Sequence, residues 1–131
     1  MLKRSILFLL LVIPLYLIIN SKIFEPTIIK VVASLPLSGT NKYFGQSVVE
    51  GANAYFQHSN EQHLLNEKLI EFIVYDDKYE PTLTLDNFQQ SLKKEIFTFF
   101  GFVGTPTTKI VMPLLDQHNI PFFAPFTGAS F

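Results

Sequence analysis

Apolar residues fall along this chain in two alternating patterns. Residues 28–37 (I-I-K-V-V-A-S-L-P-L) are β-branched and nearly continuous, as a strand buried on both faces requires. From Tyr43 to about Ser59 the pattern changes, and Phe44, Val48, Ala52, Tyr55 and Phe56 recur at helical spacing. Gly51 inside this helix is less favourable than Ala, and a close helix–sheet contact is the expected reason for it. Residues 69–75 predict a second strand, ending at Asp76-Asp77. Pro81 opens a second helix at a favoured first-turn position. Its apolar positions are Leu83, Leu85, Phe88 and Leu92, and Lys93-Lys94 stand where cations suit the helix dipole. Residues 96–103 predict a third strand. Thr107 or Thr108 is the expected cap of a third helix running to about His118, with a kink at Pro113 and a stop at Asn119. Residues 120–125 complete the series as a fourth strand.

The order is therefore β-α-β-α-β-α-β. Strands alternating with helices imply right-handed crossovers and an open parallel sheet covered on both faces, a three-layer α/β fold. No internal repeat is present beyond this alternation. No helix follows the fourth strand, so the unit is expected to be incomplete on one side. Three loops follow the carboxyl ends of strands: residues 35–45, 104–108 and 126–130. In an open α/β sheet that is the end where ligands bind.

Composition narrows the choices. A chain of 131 residues allows one domain with a core of its own, and 48% apolar with 16% charged residues is a globular balance. A formal charge of −1 gives no electrostatic footprint for nucleic acid. Cysteine is absent, which excludes disulfides, thiol nucleophiles and cysteine–zinc sites. At the amino terminus Lys3 and Arg4 precede an unbroken apolar run, residues 6–19, followed by Asn20-Ser21-Lys22. This is the pattern of a secretory leader. No A-x-A-like cleavage site follows it, so an uncleaved signal anchor is the alternative. The chain then divides into a leader or anchor over 1–21, a linker over 22–27 and the folded unit over 28–131. Positive-inside orientation puts that unit outside the cytoplasm.

The loops are rich in hydroxyls and poor in charge. The first, L-P-L-S-G-T-N-K-Y-F-G, lies between strand and helix but has neither G-x-G-x-x-G nor G-K-[ST]. Tyr43 and Phe44 at its end either pack into the core or cover an apolar ligand group. Asp76 and Asp77 suit turn and capping chemistry. Neighbours on a strand point to opposite faces, so they form no catalytic dyad. In G-T-P-T-T, residues 104–108, the hydroxyls of Thr105, Thr107 and Thr108 stand at a helix amino terminus. That arrangement suits either a carboxylate or a simple helix cap. In F-T-G-A-S, residues 126–130, Thr127 and Ser130 offer hydroxyls and Gly128 permits close backbone approach. There is no G-x-S-x-G elbow. His58, His63 and His118 lack metal-ligand spacing. No nucleophile, metal set or phosphate loop is legible, so no catalytic residue, metal or cofactor is expected, and an enzyme of doubly wound α/β fold is disfavoured.

Four blocks resemble one family: S-L-P-L-S-G-T-N-K-Y-F-G-Q-S-V-V-E-G-A (34–52), V-Y-D-D-K-Y-E-P (74–81), G-F-V-G-T-P-T-T (101–108) and I-P-F-F-A-P-F-T-G-A-S-F (120–131). In this order they are similar to the type I periplasmic solute-binding proteins, in particular the leucine/isoleucine/valine-binding group of ABC importers. The resemblance covers nearly all of residues 28–131. It implies two α/β lobes joined by a hinge, closing on an amino acid or a similar small carboxylate, and this chain matches the first half of the first lobe. It implies that Phe44, with Tyr43 beside it, lies over the ligand. It implies that Thr105 receives the carboxylate and that Phe126, Thr127 and Gly128 add backbone and hydroxyl contacts. Gly128 stands where some members carry a hydroxyl. The implied partners are a small solute and an ABC permease, with the membrane reached through the amino-terminal segment. The implied location is the periplasm or the outer face of the inner membrane. The alternative is a ligand-sensing extracytoplasmic domain of a membrane-anchored receptor, such as a histidine kinase, cyclase or chemoreceptor, whose partner is its own signalling module.

Overall fold

The computed structural model describes residues 26–129; the expected leader or anchor, most of the linker, and Ser130 lie outside them. β1 (Thr27–Leu35) starts exposed and becomes fully enclosed from Val31 onward. It sits inside the sheet, whose order is β2-β1-β3-β4, with β2 spanning Lys68–Asp76, β3 Thr98–Phe100 and β4 Phe122–Phe123. Every pairing is parallel. The helices α1 (Lys42–Glu61), α2 (Pro81–Ser91) and α3 (Thr105–His118) occupy the three crossovers. The expected α/β architecture is the one observed.

The strand period of two divides the core between the faces. On one face Val32, Phe99 and Phe102 pack with Phe88 of α2 and with Val111 and Leu115 of α3. Phe88 and Phe99 stack at 4.9 Å between centroids. On the other, Ala33, Leu35 and Val103 meet Val48 and Val49 of α1. Farther along this face Phe56 meets Phe72 and Phe100 edge-on, at 5.2 and 5.7 Å. Helices therefore cover both faces, giving three layers.

Several boundaries differ from expectation, each for a local reason. Gly51 faces open space, with no atom within 4 Å of where a methyl group would stand, so it makes no close contact with the sheet. Gly45 makes that contact instead: a Cβ there would run into the Pro36 carbonyl. Tyr55 is not core either, being 63% exposed. β3 stops at Phe100 because Gly101 takes φ +67°, and β4 stops at Phe123 because Ala124 takes φ +53°. Parallel pairing resumes only as a single bridge between Val103 and Phe126. α3 begins three or four residues earlier than expected and runs through Pro113. Its cap residue is Gly104, with no side-chain capping bond from Thr107 or Thr108. Asn119 does end it, in the left-handed conformation. Among the described residues no helix is long and apolar enough to cross a membrane.

Candidate functional site

From β1 the chain crosses to β2 on one side and later to β3 on the other. This reversal of strand order opens a crevice beyond the carboxyl ends of β1 and β3. The crevice holds a cleft of about 470 Å³, within the range of small-molecule sites. Four loops line it. Asn41 and Phe44 come from the β1–α1 connection and Tyr79 from the β2–α2 turn. Val103, Gly104 and Thr105 follow β3, and Phe126, Thr127 and Gly128 follow β4. None of these side chains carries a charge.

Two neighbouring carboxylates shape one flank. Asp76 Oδ1 accepts the backbone N–H groups of Leu37, Ser38 and Lys78, at 2.9, 3.3 and 2.9 Å. Its Oδ2 accepts the Ser38 hydroxyl at 2.6 Å. Asp76 thus fastens the loop after β1 to the turn after β2. Partial burial pushes its acidity toward the neutral form, but these hydrogen bonds, led by the Ser38 hydroxyl, outweigh it and leave the pKa lowered. Asp77 is fully buried. Its Oδ2 accepts the hydroxyls of Ser34 and Thr84, at 2.9 and 3.2 Å, and its Oδ1 accepts the Tyr79 N–H at 2.9 Å. Asn87 completes the network by donating to the Ser34 hydroxyl at 3.0 Å. Here burial dominates and the pKa is raised.

These bonds hold Lys78 and Tyr79 in successive left-handed conformations, φ +52° and +69°. The turn lays the Tyr79 ring over Gly104. A Cβ at Gly104 would collide with Tyr79 Cε2 and stand 2.7 Å from its hydroxyl oxygen, and Gly104 itself has φ +102°. Only glycine satisfies both demands.

On the opposite flank, Gly104 N–H donates to the Phe126 carbonyl at 3.0 Å, and Phe126 N–H donates to the Phe102 carbonyl at 2.8 Å. The two loops are thereby kept side by side. Their hydroxyls meet: Thr105 Oγ1 and Thr127 Oγ1 lie 2.8 Å apart, and either can donate. Thr105 opens α3, whose first-turn amides point toward the cleft end of the sheet. Phe44 and Phe126 approach across the mouth with centroids 6.0 Å apart.

Five of the seven residues expected at the site are brought together: Phe44, Thr105, Phe126, Thr127 and Gly128. Tyr43 is not among the lining residues. It is 72% exposed, with the Lys42 ammonium 5.3 Å from its ring centre. Thr107 is fully buried, and its hydroxyl donates back to the carbonyls of Val103 and Gly104, at 2.6 and 2.9 Å. It stands two residues after Thr105, on another side of the helix. Tyr79 and Asn41 line the cleft although the sequence pattern does not single them out. The available signal for Tyr79 is its place in the turn after Asp76-Asp77, where two acids can each bond the backbone two residues on. Among the described residues no group of His, Cys, Asp or Glu could hold a metal ion.

A family model described as periplasmic binding protein matches residues 28–130. None of the curated proteins matches the chain in sequence. Among solved structures, a possible leucine/isoleucine/valine-binding protein from Rhodopirellula baltica SH 1 is 32% identical, with a TM-score of 0.79, over 85% of this chain and 30% of that one. A substrate-binding periplasmic protein from Ralstonia solanacearum is 29% identical, with a TM-score of 0.73, over 77% of this chain and 30% of its own. The branched-chain amino acid transporter substrate binding protein from Streptococcus pneumoniae, solved with isoleucine, shares the fold at 17% identity and a TM-score of 0.74, over 79% and 30%. The chain thus spans about 30% of the length of these solved relatives.

Proposed function

The chain belongs to the periplasmic binding protein family, and from that premise we propose that it forms one wall of an extracytoplasmic solute site serving an ABC importer. The solute is an amino acid or a similar small carboxylate. The observation that carries this reading is the cleft at the strand-order reversal, where the Thr105–Thr127 hydroxyl pair meets the start of α3 beneath Phe44 and Phe126. Hydroxyls and first-turn amides are suited to a carboxylate, and the rings are suited to an apolar body. Closure by a second lobe would enclose the ligand, as hinge closure does in periplasmic binding proteins.

The test is an NMR titration of the purified chain with leucine, isoleucine, valine and other small carboxylates. One wall of the site taken by itself should bind weakly, with dissociation constants of about 1 mM or more. The expected result is saturable shifts confined to the amides of residues 103–105 and 126–128. A folded sample in which no carboxylate moves those amides would sink the reading. Fractionation of cells producing the chain tests its location, and retention in the cytoplasm would count against it.

A further inference from the structure

We propose that Tyr79 is a solute-contacting residue that sets specificity, and that this wall selects an aromatic monocarboxylate. The inference rests on the solute-binding reading above and goes further, by naming the ligand class and a residue that fixes it. Three observations converge on Tyr79. Its ring lies against Gly104, at the start of α3, so its hydroxyl occupies the same corner of the cleft as Thr105. Tyr79 lines the cleft, and among the described residues only its backbone N–H, not its hydroxyl, is engaged in a hydrogen bond to a side chain. Finally, its position is imposed by Asp77, which takes the Tyr79 N–H, and by Asp76, which takes the Lys78 N–H. A side chain carried on a backbone held by two carboxylates, beside a glycine that leaves it room, is preorganised to contact a ligand.

The lining then defines what fits. Three rings, Phe44, Tyr79 and Phe126, face one cleft in which Val103 is the branched aliphatic side chain. Aromatic groups favour offset or edge-on contact with other rings. The hydroxyls of Thr105 and Thr127 meet in the cleft, Tyr79 lines it against Gly104, and all three can donate to a carboxylate. No acidic or basic side chain lines this wall, so a second charge on the solute, the ammonium of an amino acid included, finds no charged partner on it. A ring bearing one carboxylate satisfies every feature of this wall; a dicarboxylate or an amino acid leaves its second charge without a partner on it.

The experiment is an NMR titration of the whole 131-residue chain with benzoate, benzamide and leucine. Benzoate should saturate, moving the amides of Tyr79 and Thr105, and benzamide should bind roughly tenfold more weakly. Tyr79→Ala should weaken benzoate roughly tenfold, while Tyr79→Phe keeps the ring and should lose only part of that. Far-UV circular dichroism on both variants establishes that they fold, and the Phe variant preserves the test if the Ala variant does not. Saturation by leucine with no response to benzoate would overturn this inference and leave the solute-binding reading intact. Unchanged benzoate affinity in a folded Tyr79→Ala would remove Tyr79 from the site. Silence from all three probes in a folded sample would overturn both readings.

Discussion

The two flanks of the cleft are built differently. On the β1–β2 flank the strands pair in register from Thr27–Lys68 to Leu35–Asp76, and Asp76 then clasps both following loops through four hydrogen bonds. On the β3–β4 flank the pairing shrinks to two residue pairs and one bridge, and the loops meet through an exposed hydroxyl pair. One flank is fixed by a buried and partly buried polar network; on the other, beyond the two backbone hydrogen bonds at Gly104 and Phe126, the loops meet through hydroxyls that water or a ligand can replace. A site gains from this division. The fixed flank presents Tyr79 in one pose, whereas the Thr105–Thr127 bond can run in either direction, with Thr127 Oγ1 also accepting the Ala129 N–H at 3.2 Å, so the pair has a hydroxyl proton to turn toward a carboxylate.

The strongest way to break the fixed flank is at Gly45. A methyl group there would run into the Pro36 backbone, which is not free to move because β1 is enclosed. Gly45→Ala should cost about 3 kcal/mol, the upper end for overpacking. Gly51→Ala in the same helix is the control, since it meets nothing and should gain about 0.5–1 kcal/mol. Urea denaturation midpoints of the two variants should therefore move in opposite directions; equal shifts would show that α1 does not pack as described. Next in size is Asp76→Ala, which leaves three backbone N–H groups and the Ser38 hydroxyl without their acceptor. A loss of about 2 kcal/mol is expected. The amide resonances of residues 37–38 and 78–79 should shift together, because one carboxylate holds both loops.

The same contrast governs how much can be read from the sequence. The continuous apolar run of β1 and the helical spacing before β2 are legible because burial on two faces leaves a period in the residues themselves. The cleft loops are legible from their place after strands and from their hydroxyls. Glycine misleads because its identity does not say which neighbour demands it: Gly51 sits on an exposed face, while Gly45, one turn into α1, meets Pro36. Thr105 and Thr107 differ in nothing the sequence displays, yet helical rotation aims one at the cleft and the other at the carbonyls of Val103 and Gly104. Tyr79 is hidden for the complementary reason. Its direction depends on two left-handed residues and on hydrogen bonds to acids that read as ordinary turn formers.

On the loose flank the comparison predicts function without stability. Thr105→Val and Thr127→Val each remove one member of an exposed pair. Stability should stay within about 0.5 kcal/mol of the parent. Affinity for a carboxylate should nevertheless fall roughly tenfold for each. The paired measurement is a denaturation curve and an NMR titration on the same samples. A large loss of stability with unchanged affinity would reverse the roles assigned to the two flanks.

The smallest expected effect separates the two carboxylates of the fixed flank by their response to acid. Asp76 has a pKa below its ordinary 3.8, so the unfolded chain takes up a proton before the folded one as pH falls. Its contribution to stability is present above pH 3.8 and is lost as pH drops through the lowered value. Asp77 has a pKa above 3.8, so between that value and the raised one the folded state holds the proton more tightly. Its effect has the opposite sign: the folded state gains on acidification, and that gain fades as pH rises through the raised value. Urea midpoints measured from about pH 3 to about pH 8 should separate the two. Asp76→Asn should rise less steeply with pH on the acid limb than the parent. Asp77→Asn should be less stable throughout, because one amide oxygen cannot accept from Ser34, Thr84 and the Tyr79 N–H together, yet it should lose the decline that Asp77 imposes above pH 3.8. Parallel curves for the parent and both variants would mean that neither carboxylate couples protonation to folding, and the clasp would then owe its hold to geometry alone.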